Sequence, residues 1–232
     1  MNSAPAAWIR FCSGAKRLPR VWWSTWRILN YRFAHARSVR WREPRDAAGR
    51  EIPWFTYPAI EYLSQLDFSG KTVFEFGAGN SSLFWSRCAA RVVSVEHDRT
   101  WCERLRGRLP AGHELVLVED PASYVQVLTQ RAEQFDVIVV DGIERRACCV
   151  AAVKHLRRGG LVILDNADWH HRCAAGLRGA GLLEVDFAGF GPVNGYTWTT
   201  SLFFHRDFAF PCRDDYQPRH GIGSLPVREE ES

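Results

Sequence analysis

The stretch Val73-Phe74-Glu75-Phe76-Gly77-Ala78-Gly79-Asn80-Ser81-Ser82 decides how the rest of the chain is read. An apolar run led in by Lys71-Thr72 suits a buried strand, and the two glycines that follow allow a tight turn with close approach of backbone to a ligand. Asn80, Ser81 and Ser82 bring the short oxygen-bearing side chains that favour a helix start. Alone, a Gly-x-Gly turn is also an ordinary strand-to-helix connection, so its meaning rests on what comes after it.

What comes after it is a regular alternation. The pattern predicts strands at 72–76, 91–96, 114–118, 135–140 and 160–164, and helices near 80–89, 98–109, 122–133, 144–157 and 169–179. Runs such as Phe135-Asp136-Val137-Ile138-Val139-Val140 and Leu161-Val162-Ile163-Leu164 read as buried on both faces, as parallel strands are. Two further strands, 182–187 and 197–204, flank a Gly/Pro/Asn-rich connection at 188–195, which predicts a hairpin and an antiparallel last strand. The fold class is therefore α/β, a doubly wound seven-stranded sheet, mostly parallel. Ligands of such sheets bind beyond the carboxyl ends of the strands.

Acids collect at those ends. Glu75 precedes the glycine turn, Glu96-His97-Asp98 follows the second strand, Glu119-Asp120 the third, Asp141-Gly142 the fourth and Asp165-Asn166 the fifth. An acid about 20 positions beyond the turn, here Glu96, is placed to accept hydrogen bonds from ribose hydroxyls. That much suits a nicotinamide or an adenosyl ligand equally. A dinucleotide fingerprint wants a third glycine where Ser82 stands, and Glu75 would sit badly beside a pyrophosphate but well beside a cationic amino acid.

With these residues in place, the chain resembles the class I S-adenosylmethionine-dependent methyltransferases, whose first motif runs acid-x-Gly-x-Gly and is matched by Glu75-Phe76-Gly77-Ala78-Gly79. The resemblance covers residues 71–204. It implies that S-adenosylmethionine is the cofactor, with Glu96 on the ribose and His97 beside it, and Asp120 with Ala122 near the adenine. Glu75, Gly77, Ala78, Gly79, Asn80 and Ser81 would face the methionine part, and Asp141 the same pocket.

Methyl transfer is a displacement that asks the protein mainly to align two partners and exclude water. Asp141 and the pair Asp165-Asn166, at adjacent strand ends, offer oxygen ligands of the kind Mg²⁺ takes. Similar positions bind a divalent metal in catechol- and caffeoyl-CoA-type O-methyltransferases. Those enzymes place a catalytic lysine soon after the first metal aspartate, whereas Ile143, Glu144, Arg145 and Arg146 follow here. The proton-accepting role is then unassigned; Asp141 and His170 are the catalytic candidates, and His170 or His171, directly after the fifth strand, could take a proton near neutral pH. Candidate substrate contacts are Trp54 and Tyr57 ahead of the first strand, and Phe190, Asn194, Tyr196 and Trp198 in the hairpin. The expected reaction is methylation of a small-molecule or lipid-linked acceptor, on oxygen rather than nitrogen. The rivals are a nicotinamide oxidoreductase and a non-catalytic adenosyl-binding protein.

Around this domain the composition is uneven. Residues 1–50 carry 11 Lys and Arg against 2 Asp and Glu, and five of the ten tryptophans. The overall charge of +4 hides a basic leader joined to a net acidic remainder. If a helix begins after Pro19, Trp22, Trp26, Leu29 and Phe33 share one face and Arg20 and Arg27 the other. Such a helix docks on its own domain, lies on an anionic membrane surface, or binds nucleic acid. Residues 40–50 read as a linker or loop, 51–70 as a covering segment with a short helix, and 205–232 as a loose tail. Seven cysteines without Cys-x-x-Cys pairs, and no secretory start, suit a cytoplasmic protein that is at most peripheral to a membrane.

Overall fold

The computed structural model describes residues 6–225, with side chains from Arg17 onward. The acidic end Glu229-Glu230-Glu231 and the side chain of Cys12 lie outside the described residues. Seven strands form one sheet: β1 (Thr72–Phe76), β2 (Arg91–Glu96), β3 (Glu114–Leu117), β4 (Phe135–Val140), β5 (Leu156–Leu164), β6 (Leu183–Phe190) and β7 (Thr197–Phe204). Their spatial order is β3-β2-β1-β4-β5-β7-β6. The first five run parallel, and β7 lies antiparallel to both neighbours, β5 and β6. The order reverses between β1 and β4, so the ends of these two strands open the crevice where a ligand belongs.

The sequence dictates this layering directly. Every residue of β4 is buried, and β1 is buried from Val73 to Phe76, so both must be covered on two faces by helices. One face packs Phe74, Phe76 and Phe135 with ring centroids 4.8 and 5.2 Å apart, and the other packs Trp85 against Phe68 and Phe84. Each such ring, fully buried, contributes roughly 1.5–3 kcal/mol through the apolar surface it removes from water. Asp136 is the exception within β4. It accepts hydrogen bonds from Thr72 N (2.8 Å), Thr72 Oγ1 (2.9 Å) and Arg157 Nη1 (2.7 Å), stapling β1, β4 and β5 at the end away from the crevice.

The helices follow in turn: α1 (Ala6–Arg27), α2 (His35–Trp41), α3 (Tyr57–Leu63), α4 (Asn80–Cys88), α5 (Arg99–Arg106), α6 (Pro121–Tyr124), α7 (Gln126–Thr129), α8 (Arg145–His155) and α9 (His171–Gly179). The single helix expected over 122–133 is two short turns, α6 and α7, joined where Tyr124 enters the core. Its hydroxyl donates to Val95 O at 3.2 Å. β5 starts at Leu156 instead of 160, because Leu156 pairs with Phe135 before a bulge restores the register at Leu161.

The ends of the chain depart further from expectation. The N-terminal helix runs through Pro19 and passes at Ile28–Arg32 into a π-helical turn. The wider turn shifts the helical register, so the expected face is split. Trp22 and Trp26 are exposed, whereas Leu29 and Phe33 are half-buried, with Phe33 4.4 Å from the Tyr57 ring. The supposed linker at 40–50 is fixed by ion pairs: Arg45 with Glu43 (3.1 Å) and Glu51 (3.1 Å), Arg108 with Glu43 (2.6 Å), and Arg87 with Glu51 (3.0 Å). The tail from 205 returns to the body, where Asp67 N donates to Pro211 O and Arg213 N to Gln65 O. Six cysteines are free among the described residues.

Candidate functional site

The glycine turn is shaped by backbone packed on backbone. Gly77 has φ +93°, and a Cβ there would lie 2.8 Å from Gly142 Cα. A Cβ on Gly142 would lie 2.2 Å from the Tyr124 hydroxyl and 2.9 Å from Gly77 N. The ends of β1 and β4 thus require glycine on both sides.

Ser82 stands where a dinucleotide fold would have glycine, and the structure gives it other work. Its hydroxyl accepts from Gly79 N at 3.0 Å and donates to Glu75 Oε2, so helix α4 is capped from its third residue, with Gly79 at the N-cap. Ser94 Oγ donates to the same Glu75 oxygen at 2.7 Å. Glu75 is completely buried behind the turn and does not line the cavity, which corrects its expected place beside a ligand. Its Oε1 has no partner. Burial pushes its carboxyl up to about 7, although the hydroxyls of Ser81, Ser82 and Ser94 favour the charged form.

In front of the turn lies a cavity of about 380 Å³, within the range of small-ligand sites. Gly77, Ala78, Gly79, Asn80, Ser81, Glu96, His97 and Asp141 all line it. Glu96 is almost wholly buried. Its Oε2 accepts from Ala78 N (3.0 Å), and its Oε1 from His97 N and Asp98 N (2.8 Å each). These bonds pin the carboxylate at the cavity wall and leave Oε2 with an open lone pair. Asn80 Nδ2 donates to Pro44 O at 2.8 Å, while its buried Oδ1 is unpartnered.

Two lining features were not foreseen. Arg42, Glu43 and Pro44 close the cavity from the side as a strap, because the ion pairs of Glu43 and Glu51 tie residues 43–51 to α4 and to the turn after α5. Trp101 forms a wall, its Nε1 donating to Ala78 O at 2.8 Å. Trp54, a candidate substrate contact, lines the same cavity.

Asp120 and Ala122 are outside this lining. The Asp120 carboxylate turns back to cap α6, accepting from Ala122 N (3.1 Å) and Ser123 Oγ (2.6 Å), so it is spent on its own loop.

The expected metal set does not come together. Arg145, at the start of α8, places its guanidinium between the ends of β4 and β5. It donates to Asp141 Oδ1 (2.9 Å), Asp141 O (3.1 Å), Gly142 O (3.0 Å) and the carbonyl of Asp165. Asp165 Oδ1 instead accepts from Trp198 Nε1 (3.0 Å) and Thr200 Oγ1 (2.5 Å). Burial pushes the Asp165 carboxyl well above the usual range, and the neighbouring Asp141 adds to it. Asp141 is also pushed up by burial, against the pull of Arg145. Asn166 occupies a left-handed turn at φ +52°. Among the described residues no group of three or more His, Cys, Asp or Glu is placed to hold a metal ion. A fixed guanidinium already supplies the cationic charge between these strand ends, and the donor set does not fit Mg²⁺.

A second cleft, about 730 Å³, shares Gly142 and Ile143 with the first. Its other walls are Glu144, Arg145 and Arg146 from the start of α8, and Trp169 to Cys173 leading into α9. His170 lines it, half-buried. Burial and the charge of Arg145 hold its imidazole below the ordinary histidine value, hence neutral at pH 7 and able to accept a proton. Tyr196, outside this lining, is exposed with its ring 6.4 Å from that of Trp169. Two expected substrate contacts are structural instead. Tyr57 is buried with its hydroxyl 3.3 Å from His35 Nδ1, and Trp198 is buried on Asp165. Asn194 is half-buried in the hairpin turn, outside both clefts.

No protein-family model and no curated protein sequence matches this chain. Solved structures do. Precorrin-6y C5,15-methyltransferase from Geobacter metallireducens aligns over 64% of this chain and 87% of its own, at 14% identity and a TM-score of 0.51. The O-methyltransferase TomG from Streptomyces achromogenes, solved in complex with SAM, aligns over 64% of this chain and 78% of its own, at 19% identity and a TM-score of 0.50. At such identities the likeness is one of architecture, and by that measure the chain has the fold of the class I methyltransferases.

Proposed function

We propose that the protein is an S-adenosylmethionine-dependent methyltransferase acting on oxygen of a small-molecule or lipid-linked acceptor. The observation that carries this reading is the meeting of two clefts at Gly142-Ile143, one walled by the glycine turn and Glu96, the other by a neutral histidine. Glu96, with an open lone pair on the cavity wall, would take a ribose hydroxyl, and His97 and Trp101 would flank the adenosine. The unpartnered Asn80 Oδ1 fits the ammonium of an amino acid, since a buried acceptor left unpaired costs about 1–3 kcal/mol. When bound, the cofactor supplies a sulfonium methyl group. His170 takes the acceptor's hydroxyl proton and passes it to solvent. The strap at 42–44 excludes water, and the shared lip fixes the approach.

Titration with S-adenosylhomocysteine, followed by the fluorescence of Trp54 and Trp101, tests the ribose assignment. Glu96→Ala should weaken binding by about 1.5–3 kcal/mol, as expected for a charged hydrogen bond. Equal affinity in the variant moves the ribose away from Glu96.

We also infer peripheral contact with an anionic membrane. At helical spacing the exposed Leu18, Val21, Trp22 and Trp26 share one side of α1, and Arg20 and Arg27 fall on the opposite one. Such a helix lies in the interface with its aromatic side inward, and each basic residue near anionic lipid adds about 1 kcal/mol. No described helix is long and apolar enough to cross a membrane.

A further inference from the structure

The second cleft has a charge pattern that the transfer reaction by itself does not call for. Of its three arginines, Arg145 is committed to Asp141 and the β4 and β5 carbonyls. Arg146 and Arg172 are not. Both are exposed, both line this cleft, and both also line the adjoining cavity of about 350 Å³, so they stand together at the junction of the two spaces. Among the described residues neither forms an ion pair. His171 and His170 stand beside them, with Lys154 in the adjoining cavity. The acids nearby do not offset this. Glu144 is the one acid in the cleft lining and is exposed at its lip; Asp141 is held by Arg145; Asp168 accepts from Thr199 N at 3.0 Å.

The placement is also unfavourable for the helices themselves. Arg145 and Arg146 open α8, and His171 and Arg172 open α9, with no acid in either first turn. Cations at helix starts oppose the helix dipole, and like charges across a cleft repel. An anion seated between them reverses both effects. Trp169 adds exposed aromatic surface to the cleft wall, with the exposed Tyr196 ring 6.4 Å from it.

Building on the methyltransferase reading, we propose that the acceptor is an anion: a planar hydroxylated molecule whose carboxylate or phosphate is held by Arg146 and Arg172. Its hydroxyl then lies toward His170 and the Gly142-Ile143 lip. A guanidinium pair suits both oxyanions through paired N–H donors.

The test uses the full chain saturated with S-adenosylhomocysteine and three probes of one shape: 4-hydroxybenzoate, 4-hydroxyphenyl phosphate and neutral 4-hydroxybenzamide. Calorimetry should find the two anions bound at least tenfold more tightly than the amide. Arg146→Ala and Arg172→Ala should each remove that preference, and the exposed positions leave the fold intact; Arg146→Glu should abolish anion binding. Affinity for S-adenosylhomocysteine should stay the same in all three variants. Equal binding of the amide and the anions, or an anion preference that survives both alanine variants, overturns the proposal. If the anions bind through these arginines while S-adenosylhomocysteine does not bind at all, the anion site stands and the methyltransferase reading falls.

Discussion

Replacing Glu75 by Gln separates the role of this buried acid from that of the turn in front of it. Glutamine keeps the shape and the oxygen that accepts from Ser82 and Ser94, but it cannot ionise. Burial raises the carboxyl from about 4.5 to about 7. A group whose folded value is raised lends its stability fully below the unfolded value and loses it as pH climbs through the folded one. At 1.36 kcal/mol per unit, the wild-type chain loses about 3 kcal/mol across the whole window, of which about 2 kcal/mol falls between pH 5.5 and pH 8.5. The variant loses none of this. Urea unfolding of both proteins at these two pH values isolates the contribution, because the other carboxylates cancel in the difference. The Glu75→Gln protein should gain about 2 kcal/mol on wild type over that interval, or about 4–8 °C in Tm. A difference that stays flat with pH, or that moves the other way, refutes the argument that Glu75 is a desolvated acid.

Other expectations are simpler to state. His170 must be neutral to accept a proton, so kcat should fall as pH drops through a value below 6.5, and His170→Gln should lower kcat by about 10²–10⁴-fold while removing that limb of the profile. Stopped-assay pH profiles of both proteins check it, and an unchanged profile in the variant assigns the proton elsewhere. Co-sedimentation with vesicles containing anionic lipid should require the exposed aromatics of α1. Trp22→Ser combined with Trp26→Ser should reduce binding at least tenfold, and vesicles of neutral lipid should not recruit either protein.

The parts of the fold that could be read from sequence are those decided locally. Most of the strands were set by a short apolar run and by the turn residues beside it, and β4 was as fully buried as its composition required. Gly77 to Ser81 and Glu96, singled out through the glycine turn and the resemblance it carries, line one cavity. What escaped depends on where side chains point. Glu75 and Asp120 have the residue type expected of ligand contacts, yet one turns behind the helix start and the other caps α6. Arg145 looked like the absence of a lysine; its reach to four oxygens of β4 and β5 shows only in three dimensions. The strap over the cavity was hidden for another reason. Its order comes from Arg87 and Arg108, about 40 to 60 positions further along the chain, and polar alternation between 40 and 51 carries no local trace of them.

Isothermal titration of the full chain with S-adenosylmethionine, S-adenosylhomocysteine and NADH tests the central claim most directly. The expected result is one site for each adenosyl ligand, of similar affinity, and no heat from NADH. Binding of NADH, or no binding by either adenosyl ligand, would contradict it.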